Sequence, residues 1–544
     1  MRTLATLSLI PLACLAAVQA SAQPLYPEGK AIPRNSTPAE QTWLRDNPIL
    51  LPAVVTAPPT GPVFCPGEYA PMQGIILAWE GPTQWLDIVA EMAAKITTIG
   101  NAIAYVSIDV FGEDTACNTR VTAFGGDISK IRYVSRANDT IWIRDYGPRY
   151  IYEGAGLRPV RAIVDHTYNR PRPNDDSWDN GWSTYRGHLY YELPLIHGGG
   201  NFHLSSAQPA FATQLIQNEN PGQTAATIIN TWNAYQNVNT TITLPFPEEV
   251  DVTQHIDMWM YMAGDQNVMI SDWALNRGST QDTICNNQAN TMAAAGYTVT
   301  RLPARSIGGT HYTYANSVMC NNLVLVPKYP TTLGATLDQQ AFDAWQAALP
   351  GKTIVQINCE SIVTSAGVMH CICMHVPAFK GRVEATGIAP TVFLRNFRGG
   401  QVLPNSSVQT VRWATDDDTG IVPRVTVSQS LDSGATWTNL VTNVTNTGSY
   451  NWTTPATTQP HVRLRITAID AALLTETDAS ETDIYVGVLC AADYNRDGIL
   501  DFFDYLDFVD DFATNAPGAD FNHDLIIDFF DYLDFVDRYS LGCP

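Results

Sequence analysis

The sequence predicts an α/β domain followed by an all-β sandwich and a small helical tail, and three observations carry that reading. From about residue 60 to 385, short β-rich runs alternate with helix-like segments, the interleaving expected where helices cover a sheet. From about 390 to 488 the texture changes to Thr, Val, Ser and Asn with regularly spaced turn residues, and helical periodicity disappears. Beyond 490, an acidic segment at 492 ("ADYNRDGILDFFDYLDFVDDF") recurs at 519 ("ADFNHDLIIDFFDYLDFVDRY"). A chain of 544 residues exceeds one ordinary core, so several domains are expected.

The chain opens with Arg2, a Leu- and Ala-rich run from Leu4 to Val18, and the small residues Ala20, Ser21 and Ala22. That order is the pattern of a secretory signal, predicted to span residues 1–22 and to be cleaved after Ala20 or Ala22. Residues 23–59 read as an N-terminal extension. The apolar run is too short to cross a bilayer, and no other apolar stretch reaches about 18 residues. The mature chain is therefore expected to be secreted, extracellular or held at the cell surface. A net charge of -22 argues against nucleic acid or an anionic membrane as partner and suits a cationic substrate. Much of that acidity lies in the tail, so it does not describe a site elsewhere.

Within 60–385 the β-rich runs include "GIILAW" from Gly74, "AIAYVSIDV" from Ala102 and "NNLVLVPKY" from Asn321, and a helix is predicted for "TLDQQAFDAWQAAL" from Thr336. Residues 390–488, with "PRVTVSQSLDSGATWTNLVTNV" and "HVRLRITAID", read as an immunoglobulin-like β-sandwich, by default a spacer or binding module.

In the tail, residues 490–544, Asp493, Asn495, Asp497 and Asp504 fall at positions 1, 3, 5 and 12 of an EF-hand-like loop. Gly498 supplies the sharp turn and Ile499 a backbone carbonyl. The second copy offers Asp520, Asn522, Asp524 and Asp531, with Ile526 at the carbonyl position, but Leu525 replaces the glycine; weaker or distorted calcium binding is expected there. The tail resembles the dockerin family, whose paired calcium loops dock onto a cohesin-type partner. The plainer alternative is an acidic solvated tail.

Ten cysteines stand at 14, 65, 117, 285, 320, 359, 371, 373, 490 and 543. Cys14 would leave with the signal, and an odd number then remains, so at least one thiol stays unpaired, a candidate reactive group in an oxidising compartment. Cys490 and Cys543 bracket the tail and are expected to pair. Cys285 with Cys320, and Cys359 with Cys373, are the further pairings expected.

Four stretches concentrate residues suited to chemistry. "NDTIWIRDYGP" from Asn138 puts Trp142, Arg144 and Asp145 at the end of a strand-like run. "HIDMWM" from His255 places His255 and Asp257 on one face if extended. "YTYANSVMCNN" contributes Asn316, and "MHCICMHVP" contributes Cys371, with Cys373 two residues on. Singly, each reads as a structural pair or salt bridge. Together they supply a thiol, an imidazole and two carboxylates on one domain, as a nucleophile with its acid/base and a cation-binding pair require. A zinc site using His370, Cys371, Cys373 and His375 lacks a second ligand cluster, and a papain-like protease lacks its local signature.

"GEYAPMQGIILAW", "WIRDYGP", "HGGGNFH", "HIDMWM", "YANSVMCNNLVLVPKY" and "MHCICMHVP" resemble, in order and spacing, the motifs of the agmatine deiminase and bacterial peptidylarginine deiminase family of the pentein superfamily. The resemblance covers roughly residues 60–380 and implies a five-bladed α/β-propeller. It further implies Cys371 as nucleophile, His255 as acid/base, Asp145 and Asp257 as guanidinium-binding carboxylates, Asn316 shaping the site and Trp142 lining the pocket. No metal or organic cofactor is needed for that chemistry. "YNRPRPNDD" from Tyr168 resembles the stretch in secreted peptidylarginine deiminases whose two arginines recognise the α-carboxylate of a C-terminal arginine; Arg170 and Arg172 match them. An arginine fork fits a carboxylate, and agmatine has none. The expectation is a peptidylarginine deiminase converting C-terminal peptidyl-arginine to citrulline with release of ammonia. The alternatives are an agmatine deiminase and a non-catalytic calcium-dependent docking or adhesion protein. This chain departs from the family at Ser365 and Ala366, where glycines are common, at Cys373 in place of Thr, and at Ser205-Ser206 in place of Asp-Gly. Gly198 to Gly200 read as positions of close backbone approach, since they lack P-loop spacing.

Overall fold

The computed structural model describes residues 23–53, 55–154 and 156–543; the expected signal, with Cys14, lies outside the described residues. Among these, no helix is long and apolar enough to cross a membrane.

Residues 63–377 build five small sheets of three or four strands, and each repeats one unit. An antiparallel strand comes first, and two parallel strands joined by a helix follow. The parallel pairs are Met72–Ala78 with Ile103–Ile108, Val160–Tyr168 with Leu189–His197, Pro209–Thr213 with Asn239–Thr243, Asn267–Asp272 with Thr298–Ile307, and Leu323–Lys328 with Thr353–Asn358. Their connections include the helices Thr83–Thr98, Trp178–Arg186, Ala225–Gln236, Thr280–Ala294 and Ala335–Ala348. The antiparallel partners are Arg149–Glu153, His203–Leu204, Met260–Met262 and Val318–Cys320 for the last four units. The first unit takes its antiparallel strand from the far end of the region: Cys373–Pro377 pairs with Met72–Ala78. The chain thus returns to where it started. The strands "IILAW" and "LVLV" are buried on both faces, as continuous apolar runs require.

Residues 391–486 form two further sheets around a shared core that includes Val392, Leu394, Val411, Trp413, Val425, Leu464 and Ile466. Alternation along Gln459–Ile469, with Val462, Leu464 and Ile466 inward, places one face of that strand in the core. The tail carries the helices Phe502–Ala513 and Phe529–Leu541, each opened by a capping box, Asp501 with Asp504 and Asp528 with Asp531. Phe508 and Phe535 stack between them with ring centroids 4.0 Å apart. Cys490 pairs with Cys543 as expected. The other expected pairings are absent: Cys285, Cys320, Cys359 and Cys373 are all free and buried, each packed as a small apolar side chain in a core.

The two-sheet region joins the five-sheet region through a buried ion cluster. Asp416 accepts from Arg161 Nε at 2.8 Å and Nη2 at 3.0 Å, and from His188 Nε2 at 3.0 Å. Burial raises the Asp416 carboxyl, but Arg161 and His188 outweigh it and hold it well below the usual range. Asp416→Ala would leave the Arg161 guanidinium buried without its counter-ion, and is expected to cost about 3–5 kcal/mol of unfolding free energy, read from denaturant midpoints. Because the folded carboxyl titrates below its unfolded value, its contribution is complete above about pH 4 and is lost as pH falls further. The gap between wild type and variant should therefore narrow in acid; a widening gap would exclude this account.

Candidate active site

The antiparallel strand of each unit is preceded by a tight turn, and the five turns converge. Ile143–Tyr146 is one helical turn carrying Arg144 and Asp145. Gly199–Asn201, Ile256–Met258 and His370–Ile372 are 3-10 turns. Asn316 lies just before Val318–Cys320. An extended conformation was expected for Asp145, for His255 with Asp257, and for Cys371 with Cys373, but these stretches are turns. A turn sends neighbouring side chains in different directions: Asp145 points into the centre, whereas Arg144 reaches Glu68 at 2.7 Å and His375 Nδ1 at 3.0 Å. Cys371 likewise sits in the centre, and Cys373 starts the strand with its sulfur 3.8 Å from Arg144. The candidate zinc ligands are therefore divided between two environments.

In the centre, Cys371 Sγ lies 3.3 Å from Asn316 Oδ1 and 3.7 Å from Asp257 Oδ2. The Asn316 amide donates to the Asp257 carbonyl at 3.3 Å, and its Oδ1 accepts the His370 backbone N–H at 3.1 Å. His370 Nδ1 is 2.9 Å from Asp257 Oδ2, and His255 Nδ1 is 3.5 Å from Asp145 Oδ1. Behind this layer, Glu68, His203 and His370 gather potential metal-ligand atoms. Glu68 is already shared by Arg144 and His370, so its charge is neutralised without a metal ion.

The centre holds a guanidinium from the chain itself. Arg34 is fully buried, and its Nε and Nη2 donate to the two Asp145 carboxylate oxygens, both at 2.7 Å. Nη1 donates to Cys371 Sγ and Nη2 to His255 Nδ1, each at 2.6 Å. Asp257 receives both nitrogens at 3.4–3.5 Å. The guanidinium thus touches the predicted thiol, imidazole and both carboxylates.

Electrostatics follow from burial. Burial opposes ionisation of Asp145 and Asp257, yet Arg34 above all holds both carboxyls below their ordinary range, with His255 aiding at both and His370 at Asp257. Burial pushes the Cys371 thiol well up; Asp257 and Asp145 add to this, and Arg34 is the charge that pulls it down.

Backbone shape makes room for the cation. A Cβ on Gly200 would lie 1.9 Å from Arg34 Nη2 and 2.8 Å from a carboxylate oxygen of each aspartate. One on Gly198 would lie 2.9 Å from the His255 ring, and one on Gly199 2.4 Å from the Arg144 carbonyl. These three are the close-approach positions expected. Ala366 keeps the left-handed conformation (φ +69°) that glycine normally provides, so this departure preserves the backbone path. Gly367 leaves space for Cys371 and Trp142.

The main chain around Arg34 is held as well. Trp142 Nε1 donates to the Ile32 carbonyl at 2.8 Å, and the Arg34 N–H donates to the Ser365 carbonyl at 2.9 Å. Arg170 Nε reaches the Arg34 carbonyl at 3.4 Å. Arg172 reaches the Pro33 carbonyl at 2.8 Å and forks onto the Glu40 carboxylate at 2.7 and 3.3 Å. The two arginines expected to read a carboxylate thus hold a peptide carbonyl and a side-chain carboxylate beside the buried guanidinium.

Arg34 and Glu40 were not among the sequence-predicted site residues, nor were Glu68 and Gly200. "PRNSTPAE" from Pro33 did contain a helix-start signal, since Thr37 and Glu40 form a capping box at the head of Pro38–Asp46. Nothing local marks Arg34 as buried.

In the tail, the first loop closes on itself: Gly498 N–H donates to Asp493 at 3.0 Å, Asp497 N–H to Asn495 at 2.9 Å and Asn495 N–H to Asp504 at 3.2 Å. The second repeats this with Leu525 to Asp520 at 2.9 Å, Asp524 to Asn522 at 3.0 Å and Asn522 to Asp531 at 3.0 Å. Leu525 takes the left-handed φ of +71° that Gly498 takes at +85°, because neighbouring hydrogen bonds hold the loop closed.

Comparisons agree with this architecture. The putative agmatine deiminase of Vibrio parahaemolyticus is 25% identical over 377 residues, 59% of this chain and 99% of its own. The agmatine deiminase of Stutzerimonas stutzeri is 22% identical over 367 residues, 58% of this chain and 95% of its own. The solved agmatine deiminase of Enterococcus faecalis shares the fold with a TM-score of 0.51 at 18% identity, over 60% of this chain and 98% of its own. A family model for Porphyromonas-type peptidyl-arginine deiminases matches residues 64–377. The chain therefore belongs to the Porphyromonas-type peptidyl-arginine deiminase family of the pentein superfamily, hydrolases that act on the C–N bonds of guanidino groups.

Proposed function

We propose that this chain is an exported peptidyl-arginine deiminase that converts arginine in a polypeptide to citrulline and ammonia. The observation that carries the reading is Arg34: an arginine within a peptide fits the centre with its guanidinium on Asp145, Asp257, His255 and Cys371. Its flanking main chain meets Trp142, Ser365, Arg170 and Arg172. Agmatine has no such main chain. A C-terminal arginine seated the same way would present its carboxylate beside Arg170, and the Glu40 carboxylate that Arg172 forks onto supports that reading.

The steps follow from the contacts. A buried thiol beside two carboxylates resists ionisation, so the arriving guanidinium is what favours the Cys371 thiolate. The two carboxylates fix the planar cation while the sulfur adds to its central carbon. His255, against one terminal nitrogen, protonates it as it leaves as ammonia. A water that His255 deprotonates then releases citrulline from the covalent thiouronium. This sequence of steps uses no cofactor.

The reading divides the chain into a signal (1–22), an N-terminal extension (23–59), a five-bladed α/β-propeller (60–385), an immunoglobulin-like sandwich (390–488) and a dockerin-like tail (490–544). Asp493, Asn495, Asp497, the Ile499 carbonyl and Asp504 would hold one calcium ion, and Asp520, Asn522, Asp524, the Ile526 carbonyl and Asp531 a second. The fit is supported by Asp493 Oδ1, buried and unpartnered among the described residues, and by the closed loops. A cohesin-like protein is the proposed partner, engaging Phe502, Phe503, Phe529 and Phe530, which are exposed in matching positions of the two copies.

Four measurements test this. Peptides ending in arginine should yield ammonia with wild type and none with Cys371→Ala, and should outperform agmatine in kcat/KM; the reverse preference would favour a small-amine deiminase. Asp257→Asn should lower kcat/KM roughly 10- to 100-fold, the scale of one lost charge-assisted hydrogen bond. Gly200→Ala should lower it at least about tenfold and lower the melting temperature as well, since its new methyl enters guanidinium space and would lie 2.8 Å from an oxygen of each carboxylate. Calcium should slow proteolysis of the tail and a chelator restore it; indifference to both would remove the metal from the reading.

A further inference from the structure

The segment that delivers Arg34 is built to stay. Its helix Pro38–Asp46 starts at the Thr37–Glu40 capping box, and the same Glu40 receives Arg172 at 2.7 Å. Tyr26 Oη binds both Glu40 at 3.0 Å and the Pro171 carbonyl at 2.8 Å. With Trp142 on Ile32 and Ser365 on Arg34, the chain from 26 to 40 is fastened on both sides of the inserted arginine. While it is there, no other guanidinium can reach Cys371, because Arg34 already contacts every group that would bind one.

We infer that Arg34 is the enzyme's first substrate: deimination of its own side chain releases the segment and opens the site. The inference rests on the deiminase reading. The Cys371 thiol gives its proton to His255 as Sγ bonds to Cζ of Arg34, the Cζ–Nη2 bond breaks, and Nη2 leaves as ammonia with that proton from His255. Water then adds to Cζ through its oxygen, giving a proton to His255, and the S–Cζ bond breaks to return the thiol. One water enters, one ammonia leaves, and residue 34 becomes a neutral citrulline.

The physical consequence is large because the centre is buried. Arg34 balances two buried carboxylates, Asp145 and Asp257. A neutral ureido group fills the same space but leaves those charges without their cation, and a buried pair stripped of one partner is strongly destabilised. The product segment is therefore held only by its peripheral contacts, and the centre it vacates is the binding site for the next arginine. The switch runs once per molecule, since citrulline does not revert.

The test uses the full chain as wild type, Cys371→Ala and Arg34→Ala. Residue 34 is identified by peptide mapping, with citrulline carrying an oxygen in place of one N–H group, and ammonia release from an added arginyl peptide is measured in parallel. Wild type should carry citrulline at 34 and Cys371→Ala arginine. Amide exchange over 32–46 should be slower in Cys371→Ala than in wild type. Arg34→Ala should act on the added peptide from the first time point. Mixing Arg34→Ala with Cys371→Ala should leave arginine at 34 in the latter, because the segment is buried in its own molecule. Unmodified Arg34 in wild type, alongside peptide turnover by wild type or Arg34→Ala, would overturn the inference and leave the deiminase reading standing. Citrulline at 34 in Cys371→Ala, alone or in the mixture, would also overturn it. No turnover by any form and unmodified Arg34 would bring down both.

Discussion

A guanidinium removed from water is the constraint around which this molecule is organised. Burying such a cation is unfavourable unless charge and hydrogen bonds replace its hydration. Here Asp145 takes two of its N–H groups edge-on, Asp257 lies along the other side, and His255 and Cys371 take the remaining directions. Each neighbouring feature serves that arrangement. Gly200 brings the backbone close enough to close the cavity, Asn316 ties the Asp257 turn to the Cys371 turn, and His370 steadies Asp257 from behind.

Repetition explains how one small chain region supplies so many convergent groups. Five copies of a strand, a parallel pair and a covering helix each begin with a turn, and the turns carry Asp145, Gly200, Asp257, Asn316 and Cys371 at roughly even intervals along the chain. A single turn is short and rigid, held by its own hydrogen bonds and by the strand that follows. Side chains mounted there keep their positions better than on long loops. Closure of the ring of pairings through Cys373–Pro377 and Met72–Ala78 brings the last turn beside the first sheet, placing the thiol opposite groups more than a hundred residues earlier.

Buried ion pairs recur where parts must be held in register. Arg161 and Asp416 lock the two-sheet region to the five-sheet region, Arg144 and Glu68 support the turns from beneath, and Arg172 and Glu40 anchor the N-terminal segment. Such pairs contribute modestly to net stability but penalise any arrangement in which one partner is missing. That asymmetry suits junctions, where geometry matters more than total energy. It also makes the Arg34 cluster a special case, because one cation there balances two buried carboxylates.

Much was legible in the sequence. The α/β interleaving, the change of texture near 390, the tandem loops and the Cys490–Cys543 pairing all rest on local composition or spacing, and each has a counterpart in the structure. Asp145, His255, Asp257, Asn316 and Cys371 could be picked out because their residue types are chemically distinctive and their motifs ordered. What the sequence by itself determined was therefore the set of reactive groups and the elements that carry them. Tertiary structure alone decided that those groups meet, that Arg144 and Cys373 face away from them, that the other cysteines among the described residues stay unpaired, and that Arg34 fills the centre. These outcomes depend on which turns and segments come together across long stretches of chain, and no local pattern of charge or hydrophobicity around Pro33-Arg34-Asn35 encodes the two distant carboxylates that bury it.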